Sequence, residues 1–374
     1  MMIDTVSKDQ FNSLFLYRWH EGFANELIDI LERYKNIVQS LRINDSFYSE
    51  IDTICTLINK TVSLYLSGLH YEANRLFNEI LCGDFSFLSC IGDVCIQSCE
   101  LLYSARKQTE YNNISSIKDI FHVPITKRGK ISTERFSYPG HPCLYLSDSI
   151  QTCWEELSKP SLTDFYVSQY RVTTPFKLLD LRIPNEKDYK PETIYKTLRR
   201  IPLIIACNFV VKNSNDVFKP EYILPQLLLE SIVARSRKQL NRQSHILDKN
   251  LIWGVIYTST KKSQDQCSNG EQSPYNIALP VVKCDTKLDY CDYLASLFEI
   301  STPICCEDAV SSNSNNFDTL TNSEISKIES RLFKQGYEKL DYLLLGAHDN
   351  TITLDCTGSP VSVDVHCSGK YTIK

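Results

Sequence analysis

One segment, residues 135–157, combines a cation, aromatic rings and two adjacent glutamates: RFSYPGHPCLYLSDSIQTCWEEL. Arginine binds phosphate groups through paired, charge-assisted donors, and a carboxylate can stabilise a positive charge that develops during bond cleavage. The Pro-Gly pair predicts a turn, CLYLS predicts a strand, and Asp148 or Ser149 predicts the N-cap of a helix. A turn, a strand and a helix in this order can bring Arg135 and a carboxylate to one place.

The predicted helix after Ser149 distinguishes its two glutamates. Its apolar residues fall on one face: Ile150, Cys153, Trp154 and Leu157. At about 100° per residue, Glu155 lies opposite this face and is expected to face water, whereas Glu156 flanks it. A carboxylate at the edge of the interior is costly without a partner or a function, so the pattern selects Glu156. A structural ion pair beside a packed ring is the alternative.

The elements that position these residues change in type near residue 100. Apolar residues recur at three- and four-residue steps within 25–41, 46–66 and 71–82, which predicts an all-α bundle. Short β-rich runs follow at 143–147, 165–172, 176–181, 251–259 and 276–282, with a helix at 222–240. Strands and helices do not alternate regularly, so the sequence predicts an α+β fold rather than a doubly wound sheet.

The last part of the chain has a third composition. Residues 311–323 are rich in Asn and Ser and predict a linker, residues 323–345 predict a helix, and residues 351–367 predict a β-hairpin. We therefore predict three parts: a helical domain at 1–100, a catalytic domain at 101–305, and a linker, helix and hairpin at 306–374.

Charge and motif patterns exclude several classes of protein. The net charge of −5 provides no basic field for nucleic acid, and no apolar run is long enough for a membrane span. The amino terminus lacks a signal-peptide pattern, so we expect a cytoplasmic protein whose 15 cysteines are reduced. Cys95 and Cys99, on a predicted helix, lack the partners of a zinc site, and we expect no metal. Neither a P-loop nor a GxGxxG motif is present.

The segment 135–157 resembles the central signature of the RES-domain family. In that family an Arg-aromatic-Asn/Ser-x-x-Gly turn precedes a Leu-Tyr-Leu strand, and a glutamate follows the tyrosine by eleven residues, as Glu156 follows Tyr145 here. GVIYTS at 254–259 resembles the family's Gly-x-x-Tyr-x-Ser strand, YILPQLL its Tyr-x-x-Pro-Gln-Leu helix start, and DIFHVPITKRGKISTERFS a branch with Phe-His-x-Pro. This chain departs from the family's early Tyr-Arg-x-Arg strand, because Ser104 stands in place of the first arginine. The likeness covers roughly residues 101–300.

The resemblance implies an ADP-ribosyltransferase-like mixed β core and a bacterial toxin or defence effector. It implies cleavage of the nicotinamide–ribose bond of NAD⁺ by hydrolysis or phosphorolysis, with NAD⁺ as substrate and no cofactor. Glu156 would stabilise the ribosyl cation, Arg135 and Arg106 would bind the pyrophosphate, and Ser259 would donate to the ribose or carboxamide. The remaining implied substrate contacts are Tyr145, Tyr103, His122 and Arg128.

The resemblance also implies partners and leaves alternatives open. Family toxins are held inactive by an antitoxin protein, and the helical amino terminus resembles HEPN-type domains, which suggests regulation or homo-oligomerisation. ADP-ribosyl transfer to a macromolecule and non-catalytic NAD⁺ binding remain alternatives. A ribonuclease is disfavoured, since the helical region lacks an Arg-x(4–6)-His motif.

Overall fold

The structure, a computed structural model, describes residues 6–82, 93–110, 112–242, 251–261, 273–282, 289–310 and 320–340. The helices in these ranges are α1 Phe23–Ser40, α2 Asp45–Leu66, α3 His70–Cys82, α4 Ile117–Ile120, α5 Ile150–Glu156, α6 Ile194–Cys207, α7 Ile223–Arg242, α8 Asp292–Ala295, α9 Cys306–Val310 and α10 Asn322–Gln335. The strands are β1 Asp93–Ile96, β2 Leu101–Lys107, β3 Cys143–Ser147, β4 Phe165–Val172, β5 Phe176–Leu181, β6 Ile252–Thr258, β7 Tyr275–Pro280, β8 Phe298–Ser301, β9 Ile304–Cys305 and β10 Tyr337–Glu338.

The strands form one ten-stranded mixed sheet in the order β1-β5-β6-β7-β3-β2-β4-β8-β10, with β9 paired to β4. β5 and β6 pair in parallel, and the other paired strands are antiparallel. Three of the predicted strands, 143–147, 165–172 and 176–181, match β3, β4 and β5 residue for residue. A mixed sheet with helices is compatible with the predicted α+β class; the RES-specific fold and a separate helical bundle stay predictions.

The parallel step from β5 to β6 is made through α6 and α7, and the amino-terminal helices cover this pair. Tyr34 of α1 donates a hydrogen bond to the Leu198 carbonyl of α6 at 2.5 Å. Arg199 of α6 forms a bidentate pair with Glu50 of α2, with N–O distances of 2.7 and 3.0 Å. Residues of α1, α2, α6, α7, β5 and β6 share one buried cluster. The predicted domain limits at residues 100 and 305 stay predictions, although the core is continuous across the first of them.

The two faces of the sheet bury different clusters, because side chains alternate in direction along a strand. On β3, Tyr145 packs against the cluster of α1, α6 and α7, whereas Leu144 and Leu146 join Leu102 and Tyr170 in a second cluster on the opposite face. A third cluster links α5, α9 and α10 to Tyr103 and therefore lies on the Tyr145 side of the sheet, since Tyr103 is paired in register with Ser147. The predicted glutamate helix thus packs on the face that carries Tyr145.

Gly254 lies where the backbones of two strands approach closely. A Cβ at this position would lie 2.1 Å from the Ala278 carbonyl oxygen on β7. The register between β5 and β6 also shifts here, between Lys177 and Leu178. Only glycine fits at this position, which gives the glycine of GVIYTS a structural reason.

Two sequence predictions about helices were wrong. Cys95 lies in β1, and Cys99 follows it in a turn with φ of +69°, because the segment pairs with β5 instead of forming a helix. The helix predicted to extend to residue 345 ends at Gln335, since Gly336 takes a φ of +77° and residues 337–338 form β10 against β8. The predicted hairpin and most of the predicted linker lie outside the described residues. No helix of the described ranges has the length and apolar character that crossing a bilayer needs.

Candidate active site

Glu156 is the last residue of α5, a short helix that begins after the N-cap Ser149. The Ser149 hydroxyl accepts a hydrogen bond from the Thr152 amide at 3.1 Å, which fixes the start of the helix next to the end of β3. Seven residues later, Glu156 Oε1 accepts hydrogen bonds from Ser259 Oγ and from Asn276 Nδ2, both at 2.6 Å. The structure therefore joins Glu156 and Ser259, two of the residues that the sequence selected.

The ends of three neighbouring strands assemble this arrangement. β3 ends at Ser147, β7 has Asn276 as its second residue, and Ser259 directly follows β6. Ser147 and Asn276 are paired in register, and Ser147 Oγ donates to Asn276 Oδ1 at 2.6 Å. This bond orients the amide, so its NH₂ group points at Glu156. The Ser259 amide donates to the Pro274 carbonyl at 2.9 Å, which holds its hydroxyl in place.

Burial makes the arrangement rigid while leaving part of the carboxylate accessible. Ser147, Ser259 and Asn276 are 6%, 2% and 3% exposed, whereas Glu156 is half-buried. Both donors reach Oε1, and within the described ranges no hydrogen bond reaches Oε2. Charge-assisted bonds of this kind fix the plane of a carboxylate. Among the described residues, the Glu156 carboxylate is therefore fixed at Oε1, and its Oε2 accepts no hydrogen bond.

Arg135 lies beside this group as a buried cation. Its Nη1 donates to the Cys207 carbonyl at 2.8 Å, and its Nη2 donates to the Phe209 carbonyl at 2.9 Å and to Thr260 Oγ1 at 3.4 Å. Thr260 follows Ser259 directly, which brings the guanidinium to the same edge of the sheet. Arg135 is 7% exposed and forms no ion pair with a carboxylate of the described residues. Its Nε–H and one Nη1–H remain as donors for an anion.

Two tyrosines lie on the sheet face that carries the Glu156 helix, and Tyr257 is the one near Glu156. Burial raises the pKa of Tyr145 well above its ordinary value, and its hydroxyl has no hydrogen-bond partner in the described part of the chain. Burial, followed by the nearby Glu156 charge, also raises the pKa of Tyr257, while Arg135 acts in the opposite direction. Both phenols therefore stay neutral, and Tyr145 retains an unused polar atom on this face.

Arg106 and His122 lie on the opposite face of the sheet, so the structure does not bring them to Glu156. Arg106 alternates with Tyr103 along β2 and donates to the Phe121 carbonyl. His122 is fully buried; its Nε2 accepts from the Cys291 amide at 2.9 Å, and its Nδ1 contacts the Val123 carbonyl at 2.9 Å. Burial lowers the pKa of His122 to about 4, so the ring is neutral near pH 7. Both side chains hold loops against the sheet.

Tyr103 and Arg128 also contact other groups. Tyr103 lies on the Glu156 side of the sheet, but its hydroxyl donates to Glu329 Oε1 at 2.9 Å and accepts from Gln169 at 3.0 Å. Arg128 is exposed, and its Nε lies 3.7 Å from the position of a Cβ on Gly140. Since Gly140 precedes β3 and Glu156 lies beyond its other end, Arg128 is remote from the carboxylate.

Ser104, which replaces the family arginine, is 7% exposed and faces the same side as Arg106. Its hydroxyl donates to the Ile120 carbonyl at 3.4 Å, as the Tyr170 hydroxyl does at 3.0 Å. The substitution therefore changes the loop on the far face and leaves the Glu156 network untouched.

One member of the site was not predicted from the sequence, and the prediction for one of its neighbours was wrong. Asn276 was overlooked, although a lone amide at the start of the apolar run NIALPVV was a visible signal. Glu155 does not simply face water: it is half-buried, Oε1 accepts from Gln151 at 2.7 Å, and Oε2 is buried without a partner among the described residues. The Glu155 side chain therefore lies against the protein instead of extending into solvent.

Within the described ranges, no three His, Cys, Asp or Glu side chains lie close enough together to hold a metal ion. The site is instead an oriented carboxylate held by a hydroxyl and an amide, with a buried guanidinium nearby.

One curated relative shares much of this chain. The chain is 32% identical over 304 residues to a protein of Bacillus subtilis (strain 168) named "Putative toxin YopC". The alignment covers 76% of this chain, and the chain spans 65% of the length of that relative. No family model matches the chain, and no solved structure matches it.

Proposed function

We propose that this protein is an NAD⁺-consuming enzyme that cleaves the bond between nicotinamide and ribose. The observation that carries the proposal is the Glu156 carboxylate, which is held at Oε1 by Ser259 and Asn276 and whose Oε2 accepts no hydrogen bond from the described residues. Preorganised charge of this kind is the main means by which enzymes stabilise a developing cation. The resemblance of segments 135–157 and 254–259 to RES signatures supports the same assignment.

The chemistry needs only one carboxylate. Nicotinamide leaves NAD⁺ as a neutral ring, so no general acid is required, and the ribose passes through an oxocarbenium-like state as in glycoside hydrolysis. Glu156 Oε2 would face the anomeric carbon and accept a ribose hydroxyl. Water then adds to that carbon, the products are nicotinamide and ADP-ribose, and one proton is released to solvent.

Arg135 supplies the complementary charge. Its Nε–H and its second Nη1–H would bind a pyrophosphate oxygen, and its other donors hold the Cys207 and Phe209 carbonyls. Tyr145, with a ring on the same face and an unused hydroxyl, would contact the nicotinamide end of the substrate. Arg106, Arg128 and His122 have no place in this binding mode.

A toxin role belongs to the same proposal. The relative at 32% identity carries the name "Putative toxin YopC", and an enzyme that consumes NAD⁺ removes a metabolite that every cell needs. We further propose an antitoxin protein as a partner that covers the Glu156 edge of the sheet. Transfer of ADP-ribose to a macromolecule would use the same residues and differs only in the acceptor.

The test follows NAD⁺ and free nicotinamide over time by chromatography, with the full-length chain. Glu156→Gln keeps an oxygen that can accept from Ser259 and Asn276 but removes the charge, so we expect nicotinamide release to fall about 10²-fold or more. Glu155→Gln is the matched control on the next residue, and it should retain the wild-type rate within about threefold because only charges near the reacting carbon matter.

The outcomes separate the alternatives. Equal losses in both variants, or a folded wild type that leaves NAD⁺ intact for hours, would contradict the proposal. Nicotinamide release with stoichiometric free ADP-ribose identifies hydrolysis, whereas nicotinamide release with ADP-ribose bound to an added lysate identifies transfer.

A further inference from the structure

The groups that hold Arg135 come from outside the strands of the sheet. Its two carbonyl acceptors, on Cys207 and Phe209, lie at the end of α6 and in the turn that follows. Its guanidinium also lies over the ring of Tyr222, 5.4 Å from the ring centroid. Tyr222 ends the 3₁₀ turn Pro220–Tyr222, which precedes α7. The geometry of Arg135 therefore depends on how these two turns are fixed.

Residues 17–23 fix the first of these turns from the amino-terminal part of the chain. The Val210 amide donates to the Tyr17 carbonyl at 2.9 Å, and Arg18 forms a parallel bridge with Val210. The Phe23 ring packs edge-on against Phe209 with centroids 5.1 Å apart. Phe209, one of the two residues whose carbonyls accept from Arg135, is thus held by contacts of its own ring and of the next residue to this segment.

A buried carboxylate connects the segment to the second turn. Glu221 is 1% exposed, and its Oε1 accepts from Trp19 Nε1 at 2.6 Å and from the Lys212 amide at 2.8 Å. The Lys212 ammonium in turn lies 4.4 Å from the centroid of the Trp19 ring. Oε1 of Glu221, the residue directly before Tyr222, therefore connects the second turn to Trp19 and to the backbone of Lys212, which follows α6.

We propose that Trp19 and Glu221 are positioning residues, which hold the two turns in the arrangement that directs the remaining N–H donors of Arg135 to substrate. This inference rests on the proposed function, since it assigns Arg135 a substrate anion. It also makes the amino-terminal segment part of the active site's support, so activity requires residues 17–23 in the same chain. The side chains act through Arg135 and do not touch substrate.

The test uses Trp19→Phe, which removes the Nε1–H donor and keeps an aromatic ring. We expect kcat/KM for NAD⁺ to fall about tenfold or more, with most of the change in KM, because a displaced anion-binding group weakens substrate binding and alignment. Glu221→Gln retains an oxygen for both donors and should preserve kcat/KM within about threefold. Tyr34→Phe is the matched control: it removes a buried hydrogen bond to α6 at Leu198, far from Arg135.

A double mutant isolates the route through Arg135. In an Arg135→Lys background, Trp19→Phe should add less than about twofold, since coupled residues are not additive. The inference is overturned if Trp19→Phe equals wild type, if Tyr34→Phe changes KM as much at an equal loss of thermal stability, or if Trp19→Phe keeps its full effect on kcat/KM in the Arg135→Lys background. Wild-type cleavage that Glu156→Gln abolishes, together with a silent Trp19→Phe, refutes the positioning role alone; a wild type that does not cleave NAD⁺ refutes both proposals.

Discussion

Asn276→Asp tests whether the amide beside Glu156 is there to keep the carboxylate charged. The substitution preserves shape but replaces the donor at 2.6 Å with a second carboxylate. Coulomb's law, with an effective dielectric constant of about 20, gives about 6 kcal/mol of repulsion between two charges at this distance. Protonating one of the two carboxyls at pH 7, from an ordinary pKa near 4, costs about 4 kcal/mol. Protonation is cheaper, so the pair should hold one proton between its oxygens.

The sign of the pH dependence follows from that proton. The folded pKa of the pair is raised above the unfolded value, so folded and unfolded chains differ little near pH 4 and the variant loses stability as the pH rises. We expect Asn276→Asp to be destabilised by about 4 kcal/mol at most at pH 7 and by much less near pH 4. The measurement is the free energy of unfolding in urea, for the variant and the wild type, at pH 4.5, 6 and 7.5.

Asn74→Asp provides the control. Asn74 Nδ2 donates to Glu230 Oε2 at 2.8 Å, so the same change is made beside a carboxylate, but here Glu230 is exposed to solvent and Asn74 is half-buried. Water and salt screen exposed charges, so its pH dependence should be much smaller. A destabilisation of Asn276→Asp that does not vary with pH, or an equal pH dependence in Asn74→Asp, would refute the reasoning about repulsion between Glu156 and a buried carboxylate at position 276.

Two further predictions concern the sheet and its far face. Gly254→Ala places a Cβ 2.1 Å from the Ala278 carbonyl oxygen, so we expect a loss of about 3 kcal/mol or more in the free energy of unfolding, and a loss under about 1 kcal/mol would contradict this steric reason. His122 has a folded pKa of about 4 against about 6.5 in an unfolded chain, so its contribution to stability is present above pH 6.5 and is lost as the pH falls toward 4. Wild type should therefore lose about 2 kcal/mol more than His122→Gln between pH 7 and 4.5; equal losses in urea titrations would show that His122 is not held neutral.

The strands were predictable where their apolar patterns were complete. FYVSQYRV and FKLLDL carry the β-branched and aromatic residues of buried strands, and β4 and β5 match them. The short β1 was not predictable, because it pairs with β5 over only four residues, too few to show the alternating pattern of a strand. α6 contains Pro202 within its helix, a residue that usually interrupts the helical pattern, so no helix was predicted there.

The residues of the candidate site also differ in how well local sequence predicts their positions. Glu156 could be selected because its helix period and its distance from Tyr145 depend on local sequence alone. The positions of Arg106 and His122 could not, because which face of a sheet a side chain takes depends on register with strands that are distant in sequence. Arg135 was found by type, but its carbonyl acceptors belong to a turn more than 70 residues away.

The covering of α6 and α7 by the first helices has a consequence for synthesis. Tyr34 and its acceptor on Leu198 are 164 residues apart, so α1 leaves the ribosome long before the surface it packs against. At about 5–20 residues per second, this delay is about 8–33 s. During that time α1 can pack on α2, but the part of its apolar stripe that contacts α6 lacks that partner, and a chaperone or a neighbouring nascent chain can occupy it. Asn276 comes later still, so a growing chain carries neither the finished core nor the Glu156 network until most of the protein has been translated.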